Sequence, residues 1–162
     1  MPYTPFHFGP SSTIGMLLYK KLDVFVFVLI NVIIDIEPFL VMVFNFHYPL
    51  HGYAHTFIGA GVLGCCCGAL AWVFRGSIRK IMNRGFKLPY EPLRSKMMIA
   101  GVFGASLHVF LDSVLYPEMQ PFYPLRANLM FGFVDYSGMY LWCAMFFIPA
   151  VGLYWFKRNK HA

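Results

Sequence analysis

The sequence predicts an all-α integral membrane protein, folded as a single polytopic membrane domain with about four transmembrane helices and an N-terminal half-helix. Of its 162 residues, 59% are hydrophobic and only 12% are charged, whereas soluble domains carry about 25% charged residues. This hydrophobicity also excludes a disordered chain. The four cysteines lie in apolar runs without CxxC spacing, so they predict no disulfide framework.

The N-terminal segment is predicted to form a short helix over residues 11–20, with Pro10 at its start and a serine as its cap. This helix is too short to cross a bilayer, and the segment lacks the pattern of a signal peptide. His7 and Asp35 each lie 14 residues from Lys21. If both arms are helical, each rises about 21 Å from the same surface, so His7 and Asp35 are expected at similar depth.

Four apolar runs are long enough to cross a bilayer, which takes about 20 residues. They cover residues 22–46, 56–74, 97–115 and 138–156. Pro38 predicts an interruption in the first run, and Pro149 predicts a kink in the last. The second and third runs are joined by a basic loop over residues 75–96.

The basic residues predict the orientation. Twelve of the 13 lysines and arginines lie just before the first run, in the 75–96 loop or after the last run, and only Arg126 lies elsewhere. The positive-inside tendency makes that side cytoplasmic, which predicts a multi-pass protein of the cell inner membrane. Topology thereby explains the excess of positive charge. Membrane lipid is the expected partner, and no nucleic-acid partner is expected.

The carboxylates in the apolar runs need a compensating charge. A charged residue at the bilayer centre costs about 2.5–3.5 kcal/mol. Asp35, Glu37 and Asp112 would together cost about 7–10 kcal/mol, which is comparable to the stability of a whole domain. The four runs contain no lysine or arginine. Protonation, histidinium or a metal cation must therefore offset the burial.

Two residue pairs have the i,i+4 spacing that places side chains on one face of a helix. His51 and His55 stand at the outer mouth of the second run, and His108 and Asp112 lie near the outer end of the third. Such pairs can hold a metal ion. Each pair also has a structural explanation, which is hydration at the interface for the first and a His–Asp hydrogen bond between helices for the second.

A helix break is predicted at Glu37, two residues after Asp35, because Pro38 disfavours helical geometry at the residue before it. Two residues this close would point in different directions on a regular helix, but a broken backbone can turn both toward one cavity. His7 would reach the same depth from the N-terminal helix. Glu118 lies in an outer loop that can close over this site.

Together these side chains predict a metal site that faces the non-cytoplasmic side. The predicted metal ligands are His7, Asp35, Glu37, His51, His55, His108 and Asp112. Mixed imidazole and carboxylate ligands favour zinc among the divalent transition metals. The number of ligands exceeds the three of a usual catalytic zinc, which indicates two or more ions. Such a site activates water for hydrolysis, and Glu37 or Glu118 is the predicted catalytic base.

Four segments carry a family resemblance, namely residues 5–11 (PFHFGPS), 32–38 (VIIDIEP), 51–56 (HGYAHT) and 108–112 (HVFLD), followed by a Pro-Phe loop at 121–122. In order they resemble the His-bearing N-terminal segment, the acidic motif, the HxxxH[ST] motif and the HxxxD motif of the prokaryotic membrane-bound metal-dependent hydrolases. That family is commonly compared with zinc-dependent phospholipase C, so the resemblance implies hydrolysis of a lipid or another phosphoester at the outer leaflet. Gly52 stands where many members have arginine, and Glu37 where they often have aspartate.

Three other interpretations use the same residues. A metal or proton transporter would need a polar path to the cytoplasmic side, but residues 59–74 and 97–105 contain no ionisable side chain other than thiols. A b-type haem protein would use His55 and His108 as axial ligands. A structural membrane protein would satisfy its polar groups among themselves and bind no metal.

Overall fold

The computed structural model describes residues 4–160, and within that range the chain is helical and contains no strand. The helices are α1 (Thr4–Leu17), α2 (Val24–Ile34), α3 (Ile36–Phe44), α4 (Phe57–Val73), α5 (Arg75–Lys80), α6 (Arg94–Ser113), α7 (Tyr136–Met145) and α8 (Phe147–Asn159). A 3₁₀ turn (Tyr53–His55) precedes α4, and a π-helical turn (Ile81–Gly85) follows α5. The predicted all-α class is confirmed.

Two helical stretches, Val24–Phe44 and Tyr136–Asn159, are long and apolar enough to cross a membrane. Phe57–Val73 with Arg75–Gly85 makes a third if the two parts are one span, although they are bent by 76°. The third predicted run falls in α6, which is not among these stretches because charged and imidazole side chains near both of its ends reduce its hydropathy. Two or three spans are therefore supported, and the four-span arrangement remains a prediction.

Both of the long apolar stretches are interrupted three residues before a proline. α2 and α3 meet at Asp35, three residues before Pro38, and α7 and α8 meet at Phe146, three residues before Pro149. Proline cannot donate to the carbonyl four residues earlier, and its ring clashes with that carbonyl. The predicted interruption near Pro38 therefore lies at Asp35 and not at Glu37.

Helix α1 begins earlier than the sequence predicted. It runs over Thr4–Leu17 instead of residues 11–20, and Pro10 lies inside it. It packs against α2, α7 and α8. The Thr13 hydroxyl donates to the Phe146 carbonyl at 2.6 Å, which ties α1 to the break between α7 and α8. His7 consequently lies within the helix, where it contacts α6.

Helices α4 and α6 approach each other backbone to backbone. A Cβ atom built on Gly64 would lie 2.3 Å from the carbonyl oxygen of Gly101, so only glycine permits this contact. Gly68 faces Met97 in the same way, which shows that the two helices run antiparallel. Gly64 lies seven residues after the start of α4, and Gly101 lies seven residues before His108. The start of α4 is therefore level with His108.

The loop over residues 114–135 closes the same end of the helices. The Asn128 side chain donates to the carbonyls of Ser113 and Tyr116 at 2.8 and 2.9 Å, which satisfies the C-terminus of α6. The Phe57 amide donates to the carbonyl of Pro121 at 2.8 Å, so the loop also covers the start of α4. This closed end carries the predicted site.

Candidate metal centre

Helix α6 places His108 and Asp112 one turn apart and buries both side chains. The distance from His108 Nε2 to Asp112 Oδ2 is 3.1 Å. The other carboxylate oxygen, Asp112 Oδ1, lies 3.1 Å from Nε2 of His7, which is also buried. The spacing on α6 thus directs the pair to one side, and α1 brings His7 against it.

The break between α2 and α3 brings Asp35 to this pair. Asp35 Oδ1 lies 3.3 Å from His108 Nε2 and 3.8 Å from His55 Nε2. His55 Nε2 lies 4.0 Å from Asp112 Oδ2. These four residues, called here the His–Asp cluster, offer ligand atoms that all lie within 4.8 Å of one another, and they could hold a metal ion.

The spacing within the His–Asp cluster suits a shared cation. Zinc–ligand bonds of about 2.0–2.2 Å place tetrahedral ligand atoms roughly 3.3–3.6 Å apart. The four histidine–aspartate separations run from 3.1 to 4.0 Å, and all the ligand atoms lie within 4.8 Å of one another. Nε2 of His55 and Nε2 of His108 are buried, and among the described residues 4–160 neither has a hydrogen-bond partner. Buried polar atoms without a partner are rare, and one cation between these nitrogens would satisfy both.

Glu37 holds His55 from the side away from the His–Asp cluster. Its Oε2 lies 2.8 Å from His55 Nδ1 and accepts from the Gly52 amide at 3.2 Å. Its Oε1 accepts from the Ala54 amide and the Tyr48 hydroxyl, both at 3.1 Å. A proton on Nδ1 leaves the Nε2 lone pair directed at the cluster, which is the usual arrangement behind a metal-binding histidine. Glu37 thus contacts His55 on the side away from the cluster, and the ligand role predicted for Glu37 stays a prediction.

The turn after α3 makes this contact possible. Asn45 adopts the left-handed conformation (φ 51°) and ends α3, and the Phe46 amide donates to the Val41 carbonyl at 3.2 Å. The chain then reverses and brings its amides to Glu37. Gly52 leaves room for Tyr48 here, because a Cβ atom would lie 2.1 Å from its ring and the Tyr48 side chain would have to move.

His51 lies beside the His–Asp cluster but outside it. Its Nδ1 is 2.9 Å from Glu118 Oε1, and its ring centroid is 5.0 Å from that of His55 and 4.3 Å from that of Tyr116. Burial lowers the pKa of His51, and the neighbouring His55 adds to the effect. The Glu118 side chain is 46% exposed, so this pair connects the buried centre with the exterior.

The histidine pair is not on a helix, contrary to the prediction from its spacing. His51 and His55 precede α4, because the Thr56 hydroxyl accepts from the Gly59 amide at 2.9 Å and caps the helix there. His55 closes the 3₁₀ turn instead. The two rings are nevertheless adjacent, although the turn and not a helical face brings them together.

Two tyrosines of the site were missed by the sequence reasoning. Tyr48 binds Glu37 and also accepts from the Tyr53 amide at 2.8 Å, and Tyr116 lies against the ring of His51. Both stand near outer ends of apolar runs, where tyrosine is common for reasons unrelated to a site. No sequence signal distinguishes them from interfacial tyrosines.

No family model, no curated protein and no solved structure matches this chain. The fold and the site therefore define a class of protein, namely an all-helical protein with possible membrane spans and a possible metal site. The chain is all-helical over residues 4–160, with two or three helices able to cross a membrane. It buries a group of two histidines and two aspartates that could hold a metal ion.

Proposed function

We propose that this protein is a membrane-embedded, metal-dependent hydrolase whose site opens to the non-cytoplasmic side and acts on a lipid or another phosphoester. The observation that carries the proposal is the convergence of two imidazole nitrogens without hydrogen bonds on two carboxylates. They come from three separate parts of the chain, namely the α2–α3 break, the 3₁₀ turn and α6. The four segments that resemble the membrane-bound metal-dependent hydrolases, in the same order along the chain, support hydrolysis as the reaction.

The membrane placement takes α6 as the fourth span. It has 20 residues, about 30 Å of helix, which matches the hydrocarbon thickness of a bilayer. It runs antiparallel to α4 against the Gly64 contact. His108 and Asp112 then lie in its outer part and face the interior of the bundle, as ionisable residues in membranes do. The basic loop and the end of α8 lie on the opposite, cytoplasmic side.

A divalent ion, with zinc favoured by the ligand types, would supply Lewis acidity and lower the pKa of water toward about 7. The chain supplies the remaining functions. Glu37 fixes the orientation of His55. Both of its carboxylate oxygens already accept hydrogen bonds, so Glu118 is the better base. Glu118, paired with His51, takes the proton from the attacking water and returns it to the leaving oxygen as the phosphorus–oxygen bond breaks. His7 and His51 flank the cluster and would serve a second ion.

Packing below the site argues against a transporter. A permeation path would have to continue toward the basic end, but α4 and α6 are in backbone contact at Gly64 and Gly101. Ile30, Ala105 and Val109 are fully buried in the same core. This packing closes the basic side of the site, which suits hydrolysis of a substrate that enters from the other side.

The geometry also disfavours the haem and purely structural interpretations. A porphyrin would have to lie between the rings of His55 and His108, where oxygens of Asp35 and Asp112 already lie. A structural His–Asp network would direct a hydrogen bond from each Nε2 at a carboxylate, but within residues 4–160 the carboxylate oxygens 3.1–4.0 Å away make none with either nitrogen.

Metal analysis tests the site. Protein purified in detergent should contain at least one equivalent of a transition metal, and the double substitution His108→Ala with Asp112→Ala should remove it. His47→Ala is the matched control, because His47 is exposed and lies outside the site. A parent protein without stoichiometric metal, or full metal content in the double variant, would refute the site.

Activity tests the reaction class separately. The zinc-loaded protein should hydrolyse bis(p-nitrophenyl) phosphate or phosphatidylglycerol in mixed micelles, lose activity with a chelator and regain it with zinc. Glu118→Gln should reduce turnover about 10²–10⁴-fold while keeping its metal. Metal-loaded protein that cleaves neither substrate but conducts zinc in proteoliposomes would favour the transporter instead.

A further inference from the structure

A basic cavity of about 740 Å³ lies at the end of the helices opposite to the His–Asp cluster. The α1–α2 connection, the segment between α5 and α6, and the end of α8 form its walls. Four cationic side chains line it, namely Lys20, Lys87, Lys96 and Arg158. Two carboxylates, Asp23 and Glu91, also line the cavity, which leaves a surplus of positive charge.

The carboxylates of the basic cavity already have partners. Asp23 is buried and accepts from the Tyr90 hydroxyl and from the Val26 amide, the latter at 3.0 Å. Glu91 pairs with Arg79 at 2.7 Å. Within residues 4–160, none of the four cations that line the cavity forms an ion pair. The lining therefore attracts an anion.

Hydrogen bonds hold the walls of the basic cavity together. The Tyr19 hydroxyl, at the end of α1, donates to the Pro89 carbonyl, and the Tyr154 hydroxyl of α8 donates to the Phe86 carbonyl at 2.9 Å. The segment that contains Phe86 and Pro89 is therefore hydrogen-bonded to the α1–α2 connection and to α8. The cavity is consequently part of the fold, and a ligand would bind to a largely formed site.

An apolar groove of about 290 Å³ adjoins the basic cavity, and Val24 and Leu88 line both. Its other walls come from one face of α1, one face of α2 and the segment after α5, and they include Phe8, Ser12, Met16, Val28, Met82 and Phe86. The α1 residues of the groove run from Phe8 to Met16, which is about 12 Å of helix. The groove therefore leads from the cationic side chains toward the middle of the apolar helices.

We propose that the basic cavity and the apolar groove together bind one anionic phospholipid, with its phosphate among the cations and an acyl chain in the groove. The proposal rests on the membrane placement given above but on neither the metal nor the hydrolysis. Cationic pockets between membrane helices on the cytoplasmic side suit anionic lipid headgroups. A soluble anion would leave the groove unused, and a neutral lipid would leave the cations unpaired.

Lipid titration of the delipidated full-length protein, followed by native mass spectrometry, tests this proposal. The probes are phosphatidylglycerol, phosphatidylcholine with the same acyl chains, and inorganic phosphate. Phosphatidylglycerol should bind more tightly than phosphatidylcholine. Lys96→Gln with Arg158→Gln should weaken it roughly fivefold per cation, and more than tenfold together. Arg75→Gln with Arg84→Gln, which are exposed and do not line the cavity, should have little effect.

A larger side chain tests the groove. Val28→Phe and Val28→Trp should displace the acyl chain and reduce phosphatidylglycerol binding, and a cooperative thermal melt in detergent like that of the parent reports that each variant is folded. The proposal would be overturned if the two lipids bind equally, or if phosphate binds and neither lipid is preferred. It would also be overturned if the Lys96→Gln/Arg158→Gln variant and the Arg75→Gln/Arg84→Gln variant lose the same affinity. Unchanged lipid binding in both folded Val28 variants would also overturn it. Metal content and hydrolysis are unaffected by these outcomes, so the two proposals fail separately.

Discussion

The contact between Glu37 and His55 allows a quantitative test of how the His–Asp cluster is oriented. Glu37→Gln keeps the size of the side chain and removes its charge. The carboxylate has four polar contacts, between 2.8 and 3.2 Å long. An amide accepts at its oxygen only and presents its NH₂ group to donors at the other end. We therefore expect two of the four contacts to be lost.

The size of the effect follows from the role of Glu37. Losing the partner behind a metal-binding histidine typically costs 10–100-fold in metal affinity, which is about 1.4–2.7 kcal/mol. If the amide oxygen stays on His55 Nδ1, the lost contacts are those to Ala54 and Tyr48, and the effect lies at the lower end. If the amide turns the other way, His55 loses its acceptor and the effect lies at the upper end.

Competition with a chromophoric zinc chelator in detergent measures the affinity. Glu37→Gln should bind zinc 10–100-fold more weakly at unchanged stoichiometry. Glu91→Gln is the control, since Glu91 is exposed, pairs with Arg79 and lies on the basic side, away from the cluster. Affinity equal to that of the parent would refute the orienting role. A loss as complete as that of Asp112→Asn would show that Glu37 is itself a ligand.

Further predictions concern packing and pH. Gly64→Ala should lower the unfolding temperature in detergent, because its Cβ would lie 2.3 Å from the Gly101 carbonyl oxygen and overpacking costs about 1–3 kcal/mol. Gly61→Ala, which meets open space, should not lower it, and an equal loss in both variants would contradict the close contact. Burial raises the pKa of Asp23, so the folded state binds this proton more readily than the unfolded state. Stability should therefore fall as pH rises from about 4 through the raised pKa, and Asp23→Asn should flatten that dependence in a pH series of thermal melts. If Asp23→Asn shows the same fall of stability with pH as the parent, the pH dependence arises from another titratable group.

Local rules of helix geometry were sufficient for part of the site. The i,i+4 spacing predicted that His108 and Asp112 share a side of one helix, and their atoms are 3.1 Å apart. Thr56 was the predicted start of an apolar run, and it caps α4. Both features depend on residues within one or two turns of each other, which is the range over which spacing and capping act.

Other features depend on more distant contacts and could not be read from spacing. Glu37 contacts His55 only because the chain reverses after Asn45, and His51 meets Glu118 only because a loop 67 residues later covers it. A carboxylate that contacts Nδ1 of His55 orients the ring, whereas one that lies near Nε2 can share a metal ion with it. Residue spacing along the sequence does not reveal which nitrogen each carboxylate contacts. The early start of α1 has the same origin, since its packing against α2, α7 and α8 outweighs the cost of Pro10.

The backbone does more than the spacing of the histidines and aspartates to bring the His–Asp cluster together. Pro38 breaks the helix at Asp35, so the carboxylate at the break reaches histidines from two other segments. The glycine contact between α4 and α6 sets the start of α4 level with His108, which brings His55 into range. Since neither Pro38 nor these glycines carries a ligand, a chain could keep every histidine and aspartate and still lose the cluster. A search for such centres in apolar sequences should therefore weigh helix-breaking prolines and facing glycines together with the histidines and carboxylates.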